Sequence, residues 1–233
     1  MRGMKKLKIL DVITKWLFIL CLPVLLLTIS IGWAVNSHWL YNYGFQKYSV
    51  AQTPALAELD LEKIANELIG YFNSNEEYIS LIVVENNEKR RLFTAEEIIH
   101  FKDVKGLIWL DYWTLLGTGI YVLIYAGVCL FWQRKRYWQR LAWGIIGGSG
   151  VTLTLILALG LGVLLGFRQL FLQFHYLFFS NEFWAAKGYM LLLFRQSFFF
   201  DTALFCGGII LGLTVILGGG AGVYLKKTQE KIH

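Results

Sequence analysis

The 233-residue chain is 56% hydrophobic and only 16% charged, and its net charge is +6. A soluble domain usually carries about 25% charged residues, so this composition excludes an ordinary soluble domain and favours a membrane protein. The positive charge does not indicate nucleic-acid binding, because the basic residues flank hydrophobic segments, where anionic lipid headgroups are the expected partners.

Four apolar segments are long enough to cross a bilayer, which needs about 20 residues. They cover residues 16–35, 107–132, 141–167 and 202–224. The first follows a basic leader, as in a signal peptide. Its apolar core is too long for one, however, and no clear small-residue cleavage site follows, so we expect a retained anchor. The odd number and wide spacing of the three cysteines predict buried thiols without a disulfide framework: Cys21, Cys129 and Cys206.

Basic residues in the short flanks predict how the four segments are oriented. Residues 1–15 contain five Lys or Arg, residues 133–140 contain four, and residues 225–233 contain three. Because the cytoplasmic side of a membrane protein carries the excess of basic residues, we expect these three flanks to be cytoplasmic. The segments 36–106 and 168–201 then face outward. The predicted fold class is an α-helical polytopic membrane protein, with four transmembrane helices and a small α+β extracytoplasmic cap between the first two.

The outer segment 36–106 contains patterns typical of a folded cap. An amphipathic helix is predicted from Leu61, with its apolar stripe at Ile64, Ala65, Leu68 and Ile69. Residues 78–84 are predicted to form a strand, Asn86-Asn87 a turn, and residues 90–94 the partner strand. The spacing of Thr94 and Glu97 is that of a capping box, which predicts the start of a short helix that carries His100.

Glycine pairs four residues apart occur in the third and fourth apolar segments. These pairs are Gly144/Gly148, Gly162/Gly166 and Gly208/Gly212. Such spacing allows the backbones of membrane helices to approach closely, so we interpret the pairs as helix-packing motifs.

Two histidines are the main candidates for chemistry, because the predicted topology brings both His100 and His175 to the outer face of the membrane. His175 lies among aromatic residues, which are also typical of an interfacial belt. An ionisable side chain near membrane depth nevertheless indicates function, and histidine suits proton transfer near neutral pH. Asp103, three residues after His100, could orient its ring or cap the helix, and Asp111 is interpreted as structural. Lys102 and Lys105 are interpreted as headgroup contacts.

The other two histidines, and a search for known catalytic motifs, give little indication of a further catalytic site. His38 lies just past the first apolar segment and His233 is the last residue. The sequence contains neither the H-E-x-x-H motif of zinc proteases nor the G-x-S-x-G motif of serine hydrolases. If the protein is an enzyme, we therefore expect acid–base catalysis without a covalent nucleophile.

At its histidine-containing stretches the sequence resembles a known family, the lipoprotein intramolecular transacylases (Lit) of bacterial membranes. The matching stretches are FTAEEIIHFKDVKG (93–106) and FHYLFFSNEFW (174–184), with a weaker match at RQSFFFDTAL (195–204). The resemblance implies an enzyme of the bacterial cytoplasmic membrane that moves the sn-2 acyl chain of a diacylglyceryl lipoprotein onto the α-amine of its N-terminal cysteine. The product would be a lyso-form lipoprotein. The implied partners are that substrate and membrane lipids, with no metal, cofactor or second substrate.

The resemblance also implies roles for residues at the matching positions. His100 and His175 would transfer protons, and Tyr176 or Asn181 would donate a hydrogen bond to the oxyanion. The residues implied to bind or orient the substrate are Asp103, Phe174, Tyr176, Phe178, Phe179, Asn181 and Trp184.

Two other classes of function fit the same sequence. A haem protein would use His100 and His175 as axial ligands, although both lie outside the apolar segments, whereas a bundle haem usually hangs from helices within the core. A non-enzymatic sensor or assembly factor would bind a partner through the cap, and its function would survive the loss of either histidine.

Overall fold

The structure is a computed structural model that describes residues 2–53, 56, 59–85, 88–131 and 135–230. Its α-helices are α1 (Arg2–Asn36), α2 (His38–Lys47), α3 (Leu61–Asn73), α4 (Ala95–Phe131), α5 (Lys135–Phe178), α6 (Tyr189–Leu193) and α7 (Gln196–Glu230). Two strands, β1 (Ile82–Glu85) and β2 (Glu88–Arg91), lie between α3 and α4, and short 3-10 helices occupy Val50–Gln52 and Phe183–Ala185.

Within the described residues, four helices are long and apolar enough to cross a membrane: α1, α4, α5 and α7. Large apolar side chains on these helices are exposed, as expected for surfaces that face lipid. The predicted fold class is confirmed in its four long apolar helices and in the small α+β region between the first two. The outward orientation of that region stays a prediction.

All four long helices extend beyond the apolar segments that predicted them, and the extensions of α4 and α5 change the predicted organisation. Helix α5 continues to Phe178, so residues 168–178, predicted as the start of a loop, are helical, after a kink at Gly166. Helix α4 runs without interruption from Ala95, so the predicted short cap helix and the second apolar segment are one helix. An apolar segment shows where a helix can contact lipid, but the backbone hydrogen bonds continue into polar and aromatic sequence.

The described parts of Met1–Ile31, Asp111–Leu161 and Cys206–His233 form one compact unit. Its core contains three clusters: Phe18 with Tyr125, Cys129 and Leu141; Leu22 and Leu26 with Ile210; and Ala142 with Ala221 and Leu225. The three cysteines are free thiols, as predicted.

Only part of the glycine-pair interpretation holds. A Cβ atom at Gly144 would meet the ring of Phe18 at 3.1 Å, and one at Gly148 would meet Leu22 Cδ2 at 2.7 Å, so this pair lies in close contact with α1. A Cβ atom at Gly208 or Gly212 would meet no heavy atom within 4 Å in the described chain. The spacing at 208 and 212 is therefore not a packing motif within this unit.

We expect Gly148→Ala to destabilise the protein by about 1–3 kcal/mol, the usual cost of an added group in a filled core. The new methyl group would meet both Leu22 and the carbonyl oxygen of Ile19, at 3.3 Å. Thermal unfolding in detergent measures the effect. Gly150→Ala is the matched control, because nothing lies within 4 Å of a Cβ atom there, and an equal loss of stability in both variants would contradict the prediction.

Gly32–Leu110 and Gly162–Phe205 form the second compact unit, whose described residues include the predicted cap. Helix α3 begins at its N-cap Asp60, which accepts a hydrogen bond from the Lys63 amide at 2.9 Å, and it buries the predicted stripe residues Ile64, Ala65 and Leu68. Strands β1 and β2 pair antiparallel, with Ile82 opposite Arg91, which confirms the predicted hairpin with shorter strands. The turn predicted at 86–87 lies outside the described residues.

Two lysines of α4, Lys102 and Lys105, form polar contacts with the segment that follows α3. Lys105 is buried and donates to the Glu76 carbonyl oxygen at 2.6 Å, and Lys102 pairs with Glu77 at 2.5 Å. The buried Lys105 therefore does not fit the interpretation as a headgroup contact, whereas the Lys102 side chain is 42% exposed and its interpretation stays a prediction.

A hydrogen-bonded anchor, formed by Lys47, Tyr43 and Tyr48 around the carboxylate of Asp201, joins the region of α2 to the start of α7. The carboxylate accepts hydrogen bonds from Lys47 and Tyr48, both at 2.7 Å, and from Tyr43 at 3.2 Å. Burial and the bond to Asp201 raise the pKa of Tyr48 to about 12, so its hydroxyl remains a hydrogen-bond donor at neutral pH. This anchor gives the weaker matching stretch, 195–204, a structural role.

Candidate active site

The second unit brings together the two histidines that the sequence singles out. His100 lies near the start of α4 and His175 on the last turn of α5, 75 positions apart in the sequence. Their ring centroids are 6.2 Å apart with an interplanar angle of 25°. Both side chains are buried, with exposed fractions of 6% and 7%. Two imidazoles at this separation can contact the same small group of reacting atoms.

A backbone contact determines the hydrogen position on His175. Its Nδ1 lies 2.6 Å from the carbonyl oxygen of Phe171, one helical turn earlier. A carbonyl oxygen can only accept, so Nδ1 carries the hydrogen and donates it. In the neutral ring, Nε2 therefore holds the lone pair and is able to take up a proton.

His100 has a different environment. Its Nδ1 is buried and has no hydrogen-bond partner among the described residues. The Phe179 ring packs edge-on against it, with centroids 4.8 Å apart, and Phe179 also contacts His175 at 5.4 Å. Since buried polar atoms usually have partners, a ring nitrogen without one is a feature of a binding site.

The aromatic residues implied by the resemblance fall into two groups. Phe179 is buried against both histidines, Trp184 lies 4.8 Å from His175, and Phe174 lies 5.5 Å from it, edge-on. Tyr176 and Phe178 are exposed, at 66% and 48%, as is Phe174 at 45%, but they pack against Trp184 and Phe174 respectively and not against a histidine. The first group lines the histidine pair, and the second extends the aromatic surface away from it.

Asp103 and Asn181 bind each other. The Asn181 amide donates to Asp103 at 3.0 Å, and its oxygen accepts from the Phe183 amide at 3.0 Å. Asp103 thus ties α4 to the segment after α5 through its bond with Asn181. The Asn181 side chain is already engaged by these two bonds.

Two features of this site were not predicted from the sequence. Glu97 is fully buried and bonds to the Met190 amide at 2.7 Å, although the capping-box pattern indicated only its bond to Thr94. The indole Nε1 of Trp184 is a buried donor without a partner among the described residues. Neither could be found from spacing alone, because both depend on which segments pack together.

Comparisons with known proteins agree with this architecture. A family model described as "Lipoprotein intramolecular transacylase Lit" matches residues 16–199. The solved structure of the membrane integral lipoprotein intramolecular transacylase Lit from Bacillus cereus is 19% identical, with a TM-score of 0.75, covering 95% of this chain and 98% of that one. Two variants of the same protein, with a histidine replaced by arginine or by alanine, give TM-scores of 0.72 and 0.74 at 19% and 18% identity. They cover 99% and 98% of this chain, and 98% and 99% of their own. No curated protein sequence matches.

Proposed function

Because this multi-pass membrane protein belongs to the lipoprotein intramolecular transacylase (Lit) family, a family of acyltransferases, we propose that it converts diacylglyceryl lipoproteins to the lyso form. The sn-2 acyl chain moves from the glyceryl oxygen to the α-amine of the lipid-modified N-terminal cysteine. The C–N amide bond forms and the C–O ester bond breaks within one molecule, so no second substrate is needed. The observation that carries the proposal is the buried pair of imidazoles 6.2 Å apart.

His175 is the general base in this proposal. An α-amine has a pKa of about 7.7–8.0 and attacks an ester only after it loses a proton. The Nε2 lone pair of His175 is available for that proton because the bond to the Phe171 carbonyl oxygen holds the hydrogen on Nδ1. The same bond restricts rotation of the ring, so the base keeps one orientation.

His100 acts on the leaving glyceryl oxygen in this proposal. Its buried and unpartnered Nδ1 supports a contact with the substrate, since no described protein group uses it. An amine that starts protonated gives up two protons on its way to the amide: one ends on the glyceryl oxygen, and the other is released to water. His100 stabilises that oxygen as the C–O bond breaks and takes part in its protonation.

Positioning contributes more than proton transfer to such a reaction. Holding two groups of one molecule in reacting geometry can supply about 7–11 kcal/mol. The walls formed by Phe174, Phe179 and Trp184 around His175 provide rigid apolar surfaces against which a lipid-bearing cysteine can fold back on itself. The exposed rings of Tyr176 and Phe178 continue this surface for an acyl chain.

The Trp184 indole is the donor that we assign to the oxyanion of the tetrahedral intermediate. Asn181, one of the two donors suggested by the resemblance, is engaged by Asp103 and Phe183, and Tyr176 is two-thirds exposed. Trp184 Nε1 is buried beside His175 and has no partner in the described chain. A buried donor without a partner is costly, and an oxyanion compensates for that cost in the transition state.

The proposed setting is the outer leaflet of the bacterial cytoplasmic membrane. The basic flanks 1–15, 133–140 and 225–233 support cytoplasmic termini, with spans at 16–35, 107–132, 141–167 and 202–224. Residues 36–106 and 168–201, which contain both histidines, then face outward. Lipidated substrates would reach the site laterally from the bilayer.

Mass spectrometry of a lipoprotein from cells with and without this chain tests the function. We expect an N-terminal amide-linked acyl chain and a lyso-glyceryl group only in cells that express the chain, because the proposed reaction makes both together. Unchanged lipoproteins would contradict the proposal. A strong haem band in the absorption spectrum of the purified protein would instead favour the electron-transfer alternative.

A further inference from the structure

The carboxylate of Glu97 is buried to 0% exposure and bonds to two separate parts of the chain. Its Oε2 accepts from the Thr94 amide at 2.9 Å, which is the capping-box bond. Its Oε1 accepts from the Met190 amide at 2.7 Å, 93 positions later in the sequence. Helix capping requires only the first bond, so the second indicates a further role for this side chain.

Gly188 shows how closely the two segments approach each other. A Cβ atom at this position would be in hard contact with the Cδ, Oε1 and Oε2 atoms of Glu97. The backbone of Gly188 is extended, with φ −164°, so its conformation does not demand glycine. The absence of a side chain is needed to let the backbone pass over the carboxylate.

The burial of Glu97 requires compensation. A carboxylate removed from water is costly unless hydrogen bonds replace its solvation. Charge-assisted bonds from backbone amides are among the strongest replacements, and both oxygens of Glu97 have one. The segment around Met190 is therefore held against the start of α4 by the need to satisfy this carboxylate.

His100 lies one helical turn after Glu97, and Asp103 lies three residues further. Residues spaced by three lie on the same side of a helix, so both neighbours share the His100 face of α4. Glu97 ties this face to Met190, and Asp103 ties it to Asn181. Both partners belong to the chain that follows His175, so the two bonds bracket His100 and limit its movement relative to the second imidazole.

We propose that Glu97 is a positioning residue for the transacylation, which holds His100 in place by binding the backbone amides of Thr94 and Met190, with Gly188 as the glycine that this contact requires. The inference rests on the proposed function, because it concerns the histidine pair of that site. Glu97 acts through His100 and does not itself contact the substrate.

Steady-state kinetics of the full chain in detergent, with a synthetic diacylglyceryl lipopeptide as substrate, tests the proposal. Glu97→Gln keeps the shape of the side chain but offers an amide N–H₂ to one of the two backbone donors. We expect kcat to fall by about ten- to 100-fold, since a small misplacement of a reacting group has effects of this size, while KM stays nearly unchanged. The matched control is Glu96→Gln on the exposed side of the same turn, which should retain the normal kcat.

A double-mutant cycle separates positioning from general damage. Gly188→Ala should lower kcat because its methyl group displaces the carboxylate, whereas Gly106→Ala, with nothing within 4 Å of its Cβ, should not. In a Glu97→Ala background, Gly188→Ala should have little further effect, because the group it displaces is gone. Asp60→Ala, which removes the α3 cap, should lower the thermal midpoint and leave kcat unchanged.

Three results would overturn the inference. They are a normal kcat in the folded fraction of Glu97→Gln, additive effects of Gly188→Ala and Glu97→Ala, or a loss in Asp60→Ala equal to that in Glu97→Gln. Failure of the proposed function is distinguishable, because the unmodified chain itself would then form no lyso-lipopeptide and no variant would have a measurable kcat.

Discussion

Replacing His175 by glutamine is expected to lower the rate of lyso-lipoprotein formation by about 10²–10⁴-fold, the usual contribution of a general base. Glutamine is polar and fills a similar space, but its amide cannot take a proton from the attacking amine. The same replacement of His100 is expected to have an effect of similar size, because it removes the group that stabilises the leaving glyceryl oxygen. Mass spectrometry of the lipoprotein product measures both variants.

His38 supplies the matched control for these substitutions. It is the exposed first residue of α2, so His38→Gln should leave the product unchanged. Membrane insertion and thermal unfolding of the three variants should remain close to those of the unmodified protein. Normal product formation in both His100→Gln and His175→Gln would contradict the two-histidine mechanism and favour a sensor or assembly role.

The second large effect is expected for Trp184→Phe, which removes the indole N–H and keeps an aromatic ring against His175. Loss of one oxyanion donor typically lowers kcat by about 10²–10³-fold, whereas ground-state binding through the ring should persist. We therefore expect kcat to fall and KM to stay nearly constant in lipopeptide kinetics.

Trp39→Phe is the control for the tryptophan substitution. Trp39 is exposed, belongs to the same unit, and packs against Tyr43 and Phe205. Its replacement should leave kcat unchanged. If Trp184→Phe retains full activity, Trp184 is a packing residue and another group stabilises the oxyanion.

Local patterns in the sequence predicted a large part of the architecture. Segment length and apolar content predicted the four long helices, and the spacing of Ile64, Ala65 and Leu68 predicted the buried face of α3. The capping box at Thr94 and Glu97 is present with both of its bonds. These features could be predicted because each depends on residues within one or two helical turns.

The candidate site could be predicted only in part. Topology suggested that His100 and His175 share one side of the membrane, but it could not show that the rings stack 6.2 Å apart. The same limit applied to Asp103, whose bond goes to Asn181, and to the glycines at 208 and 212, which have no close neighbour in the described chain. Spacing along one helix shows which residues share a face of that helix, but it does not show which other segments pack against that face.

By itself, then, the sequence determined the membrane class, the four apolar helices and the local motifs of the cap, because hydrophobicity and helix capping act over short stretches of chain. Tertiary structure alone decided the 6.2 Å separation of the His100 and His175 rings and the burial of Glu97 beneath Gly188. Each of these contacts joins residues that are tens of positions apart in the sequence. The packing of whole segments determines the distances between them to within an ångström.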